Sequence, residues 1–339
     1  MSLILFNKLL AIFCTVALGW VAGRLRWLGE PASGIDPARL LGNAAFYIFV
    51  PALLFRTVAR MDFATMPWAT AAAYFVPVVA MMLGIYSVER LRWRGRVSAH
   101  LDAGERAAAA PATRAITGVF GNTVQVGIPV VTALYGEAGL GLHIALVSLH
   151  ALVLLSTLTV LVELDLARAR AAHDASASLW RTLRNTVRHT LIHPVVLPVL
   201  AGGLYNATGW PLPGPLDETL QLLGRAVAPL CLVLIGITLA YTAGHTVRGA
   251  ARSALSLSVV KLLALPALVL GVAHWGFGLS GLPLQVAVTM AALPTGSNAL
   301  IFAQRYCTQE AQATTAIVLS TLGFVLTAPL WLAVLAWVG

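Results

Sequence analysis

Pro129 and Pro294 each lie inside a hydrophobic stretch just long enough to cross a bilayer, and each has polar company. The first stretch reads Gly121-Asn-Thr-Val-Gln-Val-Gly-Ile-Pro129, the second Leu293-Pro-Thr-Gly-Ser-Asn298. Proline removes a backbone donor and clashes with the preceding turn, so a spanning helix is expected to break at each. Unpaired backbone groups are costly in hydrocarbon, so a break survives only inside protein or beside a water-filled cavity. Two such breaks, in corresponding positions of the two halves of a chain, point to the substrate site of a secondary transporter.

Composition sets the class. Of 339 residues, 59% are hydrophobic and only 10% charged, with mean hydropathy +0.84. A soluble domain carries about 25% charged residues, so the chain reads as an all-α polytopic membrane protein. Windows of about 20 apolar residues give ten spans, at residues 5–22, 40–58, 68–88, 115–134 and 140–164, then 191–205, 220–242, 255–277, 284–303 and 313–338. The sixth is the shortest.

Alternate loops hold most of the 22 lysines and arginines, among them Arg90, Arg92, Arg94, Arg96, Arg106, Arg114, Arg181, Arg184 and Arg188. The opposite loops offer mainly Arg56 and Arg60, beside Asp62, Glu137, Asp217 and Glu218. Positive loops stay cytoplasmic, so both termini are expected outside. Arginines that anchor spans to anionic headgroups account for the net charge of +9 without nucleic acid, leaving the lipid bilayer as their partner. The N-terminal stretch lacks a basic n-region and reads as the first span, not a removable signal. Cys14, Cys231 and Cys307 are isolated, so neither a disulfide framework nor a metal site is expected. No phosphate-binding loop, paired-histidine metal motif or nucleophile elbow is present, so no enzyme and no cofactor is expected.

The halves resemble each other. Pro51, Pro77 and Pro129 in spans two to four match Pro229, Pro266 and Pro294 in spans seven to nine, in the same order. Spans five apart enter from opposite sides, so the repeat is inverted. It divides the chain into a first five-helix repeat at 1–164, a cytoplasmic linker at 165–190 and a second repeat at 191–339.

A proline at the first helical position opens a half-helix whose N-terminus offers N–H groups and partial positive charge. Two such ends make an anion site without a formal cation. Asn122, Thr123, Gln125, Ser297 and Asn298 add neutral donors around Gly127, Pro129 and Pro294, which favours a small organic anion. The asparagines can equally repair backbone bonds freed by the prolines. Lys261 has a possible charge role, because ionisable residues at membrane depth are functional by default; snorkelling toward the cytoplasm is the simpler reading. His143 and His150 can relay protons or bond a neighbouring helix. Glu163 and Asp165 read as a solvated helix end.

The same residues carry a family resemblance. Residues 121–129, the run Leu134-Tyr-Gly-Glu-Ala-Gly-Leu140, residues 291–306, Leu319-Ser-Thr-Leu322 and Val50-Pro-Ala-Leu-Leu-Phe55 resemble the auxin efflux carrier family, which includes plant PIN carriers and many bacterial carriers. The resemblance implies the bile-acid sodium symporter fold, ten helices in two inverted five-helix repeats. Spans 1, 2, 6 and 7 would form a scaffold and the others a moving core. Spans four and nine would cross at their broken centres, carried onto Pro129 and Pro294, with Asn122 and Asn298 at the crossing. The short linker favours a bacterial-type member of the inner membrane, and the family implies a homodimer. The function expected is an elevator-type carrier of small organic anions, carboxylates. The alternatives are a sodium- or proton-coupled organic acid symporter and a membrane ligand sensor that moves nothing.

Overall fold

The computed structural model describes residues 3–29, 37–60, 67–93, 101–173, 196–242 and 247–338. Among the described residues the chain is helical almost throughout, and no strand forms. Among these residues five helices are long and apolar enough to cross a membrane: Pro37–Ala59, Trp68–Arg92, Leu134–Ala169, Ala251–Gly276 and Glu310–Val338. This is an all-helical polytopic membrane protein.

In chain order, α1 is Leu3–Arg24 and α2 is Pro37–Ala59, with a π-helical turn at Ala45–Phe49. Helix α3 is Trp68–Trp93 and α4 is Leu101–Val119. After a break, a π turn at Thr123–Gly127 leads into α5, Ile128–His173. Gly136 interrupts α5 at φ 62° and ψ −158°, a left-handed conformation that suits a residue without Cβ. Helices α6, Val196–Ala207, and α7, Gly214–Thr242, follow. A run from Val247 through Gly276, with π turns at Val260–Ala264 and Val272–Gly276, is α8. Then come α9, Gly281–Ala292, α10, Asn298–Arg305, and α11, Glu310–Val338.

Two expectations change here. The fourth span was expected to begin at 115, with Arg106 and Arg114 in a loop, yet α4 already starts at Leu101. The six alanines and the arginines of this segment are good helix formers, and Arg114 is held by Glu89 at 2.8 Å. The linker expected at 165–190 begins as helix, because α5 continues to His173. The rest of that linker and the start of the sixth span, up to 195, lie outside the described residues.

Apolar helices surrounded by lipid gain little from hydrophobic burial, so close backbone packing decides which helices pair. Helix α1 lies against α7, where a Cβ on Gly19 would overlap the Val233 carbonyl and one on Gly236 the Val16 carbonyl. Helix α6 lies against α2, where a Cβ on Gly202 would meet Phe55 O at 2.7 Å. These four helices pack as one group. Helices α3, α4 and α5 pack in sequence, while α8, α9 and α11 pack together and join them through contacts of α9 with α5 and α3.

Buried ions tie the second group together at one end. Glu89 pairs with Arg92 at 3.0 Å and Arg114 at 2.8 Å. Asp165, expected on a solvated face, is only 7% exposed; it pairs with Arg90 at 3.0 Å and Arg168 at 2.9 Å, and accepts the Tyr86 hydroxyl at 2.5 Å. Its solvation is replaced by partners from two helices, which a reading of α5 alone does not reveal.

Candidate functional site

The two breaks meet. Helix α4 ends at Val119 and α9 at Ala292, and the chains leaving them run antiparallel through an isolated bridge between Gly121 and Thr295. The Asn122 N–H donates to Pro294 O at 2.7 Å, and the Gly296 N–H donates to Phe120 O at 2.8 Å. Each break thus satisfies backbone groups that the other exposes, as hydrocarbon surroundings demand. The approach is close: a Cβ on Gly296 would lie 2.8 Å from Gly121 O.

Neighbouring helices complete the pairing. Thr295 donates its hydroxyl to Thr117 O at 3.0 Å, and its N–H donates to the Ser320 hydroxyl of α11 at 3.0 Å. The Gly121 N–H donates to His150 Nε2 at 3.3 Å, so the neutral ring carries its proton on Nδ1, 3.3 Å from the Tyr74 hydroxyl. His143 has the other tautomer: Nε2 donates to Thr123 O at 2.8 Å. Both histidines thus bond the backbone of the break.

The prolines play unequal parts. Pro294 stands at the crossing, with Leu293 extended before it (ψ 149°), the conformation proline favours in its predecessor. Pro129 does not stand there. It follows the π turn at Thr123–Gly127, opened by the Gly127 N–H donating to Asn122 O at 3.0 Å. A five-residue turn loosens the helix just ahead of the residue that has no N–H to give. The break falls at residues 120–122 instead of at Pro129.

A cavity of about 740 Å³ of empty space, part of it open to solvent, lies against the crossing. Asn122, Thr123, Ser297, Asn298 and His150 line it from the second helix group, and Leu53, Leu54, Thr57, Gly224 and Val227 from α2 and α7. Among the described residues no Lys, Arg, Asp or Glu lines it. The structure thus brings together Asn122, Ser297, Asn298 and His150 of the expected site. Gly127 and Pro294 are not in the lining: a Cβ on Gly127 would lie 2.6 Å from His143 Nε2. The side chains of Gln125 and Pro129 lie outside the described residues.

Lys261 departs from expectation most. It does not snorkel: the side chain is 1% exposed, and Nζ donates to Ala291 O at 2.5 Å. That carbonyl lies in the last turn of α9, where the break removes its helical partner and the helix dipole is negative. Nζ also lies 3.7 Å from where a Cβ on Gly121 would stand, and Lys261 is not among the described lining residues of the cavity.

The apolar wall from α2 and α7 went unread in the sequence, because leucines and glycines of spans look alike whether they face lipid or a cavity. Ser148, two residues before His150, also lines the space and was not singled out. Among the described residues no group of three or more His, Cys, Asp or Glu could hold a metal ion.

Comparison with known proteins gives one family. The model described as membrane transport protein matches residues 4–332. An uncharacterized transporter of Escherichia coli strain K12, YfdV, is 27% identical over 327 residues, 96% of each chain. An uncharacterized transporter of Methanothermobacter thermautotrophicus is 23% identical over 330 residues, 97% of this chain and 98% of its own. Auxin efflux carrier component 8 of Arabidopsis thaliana is 24% identical over 225 residues, 56% of this chain and 61% of that one.

Proposed function

The chain belongs to the membrane transport protein family, and on that premise we propose that it carries small organic anions, carboxylates, across the bacterial inner membrane by an elevator motion. The observation that carries this reading is the cavity at the crossing, where Asn122, Ser297 and Asn298 converge with no charged side chain among the described lining residues. The starts of the Thr123 π turn and of α10 bring partial positive charge to the same place. Neutral donors and helix ends hold an anion without the tight grip of a formal ion pair. A carrier needs that modest affinity to release its cargo.

Helices α1, α2, α6 and α7 would be the scaffold and the remainder the core that moves past it. A broken helix followed by a long one occurs twice, at α4–α5 and at α9–α11, which supports ten spans in two inverted repeats. Exposed apolar residues on the scaffold, such as Leu204 and Leu222, leave a face for lipid or for the second copy of a homodimer. Both termini would lie outside, following the arginine bias.

The test is exchange flux in proteoliposomes. Carboxylates that raise the melting temperature of the purified protein are loaded with a labelled trace outside. Saturable, protein-dependent exchange is expected. Binding without exchange would make the protein a sensor, and exchange that stops without a sodium or pH gradient would make it a coupled symporter.

A further inference from the structure

The cavity at the crossing reaches only part of α2. On α2 its lining residues are Leu53, Leu54 and Thr57, in the C-terminal part of the helix. Toward the N-terminus, where a helix rises about 1.5 Å per residue, α2 is covered by α10 instead. Val50 and Ile301 line a much smaller gap at this contact, with Asn298 at its edge, and are each only 3% exposed.

The contact has two specific features. A Cβ on Gly42 would overlap Gln304 Oε1, so the absence of a side chain at Gly42 is what lets Gln304 seat there. The Arg305 guanidinium stacks 5.8 Å from the ring centre of Phe46 and 5.2 Å from that of Tyr47. Among the described ion pairs none involves Arg305, so the rings are what hold this cation on α2. The turn after α10 is strained as well: Cys307 and Gln309 take left-handed φ of 50° and 57°, which residues with a Cβ adopt only when their surroundings impose it.

We propose that the seating of Gln304 on Gly42, with Arg305 stacked on Phe46 and Tyr47, is a latch that seals one face of the carrier while the cavity stands open to the other. The inference rests on the moving-core reading. Helix α10 belongs to the core and α2 to the scaffold, so the core cannot slide without lifting Gln304 and Arg305 from α2. A cation on aromatic faces suits this task. It needs no carboxylate left unpaired when it lets go, and the planar guanidinium stacks better than an ammonium.

Thiol accessibility tests it on the full chain in nanodiscs, with Cys14, Cys231 and Cys307 replaced. A single cysteine at Val50 (Val50→Cys) reports the sealed face and one at Ser148 (Ser148→Cys) the cavity; the probe is methanethiosulfonate ethylsulfonate. Arg305→Gln, and separately Gly42→Ala, should speed labelling at position 50 about ten-fold, equivalent to about 1.4 kcal/mol, and slow it at position 148. Arg305→Lys should fall between parent and Arg305→Gln. Two independent variants guard against one that fails to fold. Slow but finite labelling at position 50 in the parent, unchanged by either variant, overturns the latch and leaves the moving core intact. Complete protection at position 50 in every background overturns the moving core and the latch with it. Faster labelling at both positions means mere loosening and also overturns the latch.

Discussion

The backbone N–H of Asn122 donates to the carbonyl of Pro294 at 2.7 Å, so the two broken helices stabilise each other's breaks. Neither break is sustainable alone at membrane depth, where each orphaned backbone group costs several kcal/mol. The crossing is a single unit, and damage to one strand of it should be felt at both.

Gly296→Ala tests that unity. The new methyl would stand 2.8 Å from Gly121 O and 3.1 Å from Phe120 Cδ1, and a backbone oxygen cannot swing aside. Overpacking of this kind costs about 1–3 kcal/mol. The expected outcome is a lower melting temperature and lower carboxylate affinity together. Thr295→Val, which keeps the shape but removes the hydroxyl bond to Thr117 O, should cost less. Equal stability of Gly296→Ala and parent would contradict the close crossing.

Lys261→Met separates two roles of the buried amine. Loss of its bond to Ala291 O removes about 1.5–3 kcal/mol, as for bonds to charged groups. Relief from burying a basic group recovers several kcal/mol. Stability should therefore hold or rise, while carboxylate affinity falls because a buried amine beside the crossing is gone. A collapse in stability with normal affinity in the surviving protein would leave Lys261 as a helix cap alone.

Much of this site was legible in the residues. Asparagine, serine and threonine inside an apolar stretch with a proline have few reasons to be there, and Asn122, Ser297 and Asn298 do meet. The position of the first break was not legible from Pro129, because a π turn absorbs the missing N–H locally and lets the chain break several residues earlier. Lys261 was misread because its partner, Ala291 O, becomes available only through the second break. The pairing of Glu89 with Arg114 was hidden by placing Arg114 in a loop. Composition gives the class of a helix and its polar punctuation gives the site, but partners across helices come only from the packing.

Asp217, at the start of α7, joins Arg56 at 2.8 Å and Arg60 at 2.6 Å on α2 and its end. The hydrogen bond from Arg56, ahead of the one from Arg60, holds its carboxyl below the usual range. A depressed folded-state value contributes stability that is present above the unfolded value, about 3.9, and is lost as pH falls through the folded one. Asp217→Asn should therefore melt below the parent at pH 7, with the gap closing below about pH 4. High salt should narrow it too, since the pair is partly exposed. A gap that persists unchanged at acid pH would assign the effect to packing.

The most direct measurement is titration calorimetry of folded Asn122→Ala and Asn298→Ala with the carboxylate that the melting screen selects. If these side chains donate to the anion at the crossing, each substitution weakens binding by about 1.5–3 kcal/mol, roughly ten- to hundred-fold. Aspartate at either position is worse than alanine, because it adds repulsion to the lost donor. Unchanged affinity in both alanine variants would contradict the crossing as the anion site and leave the asparagines as mere mends for broken helices.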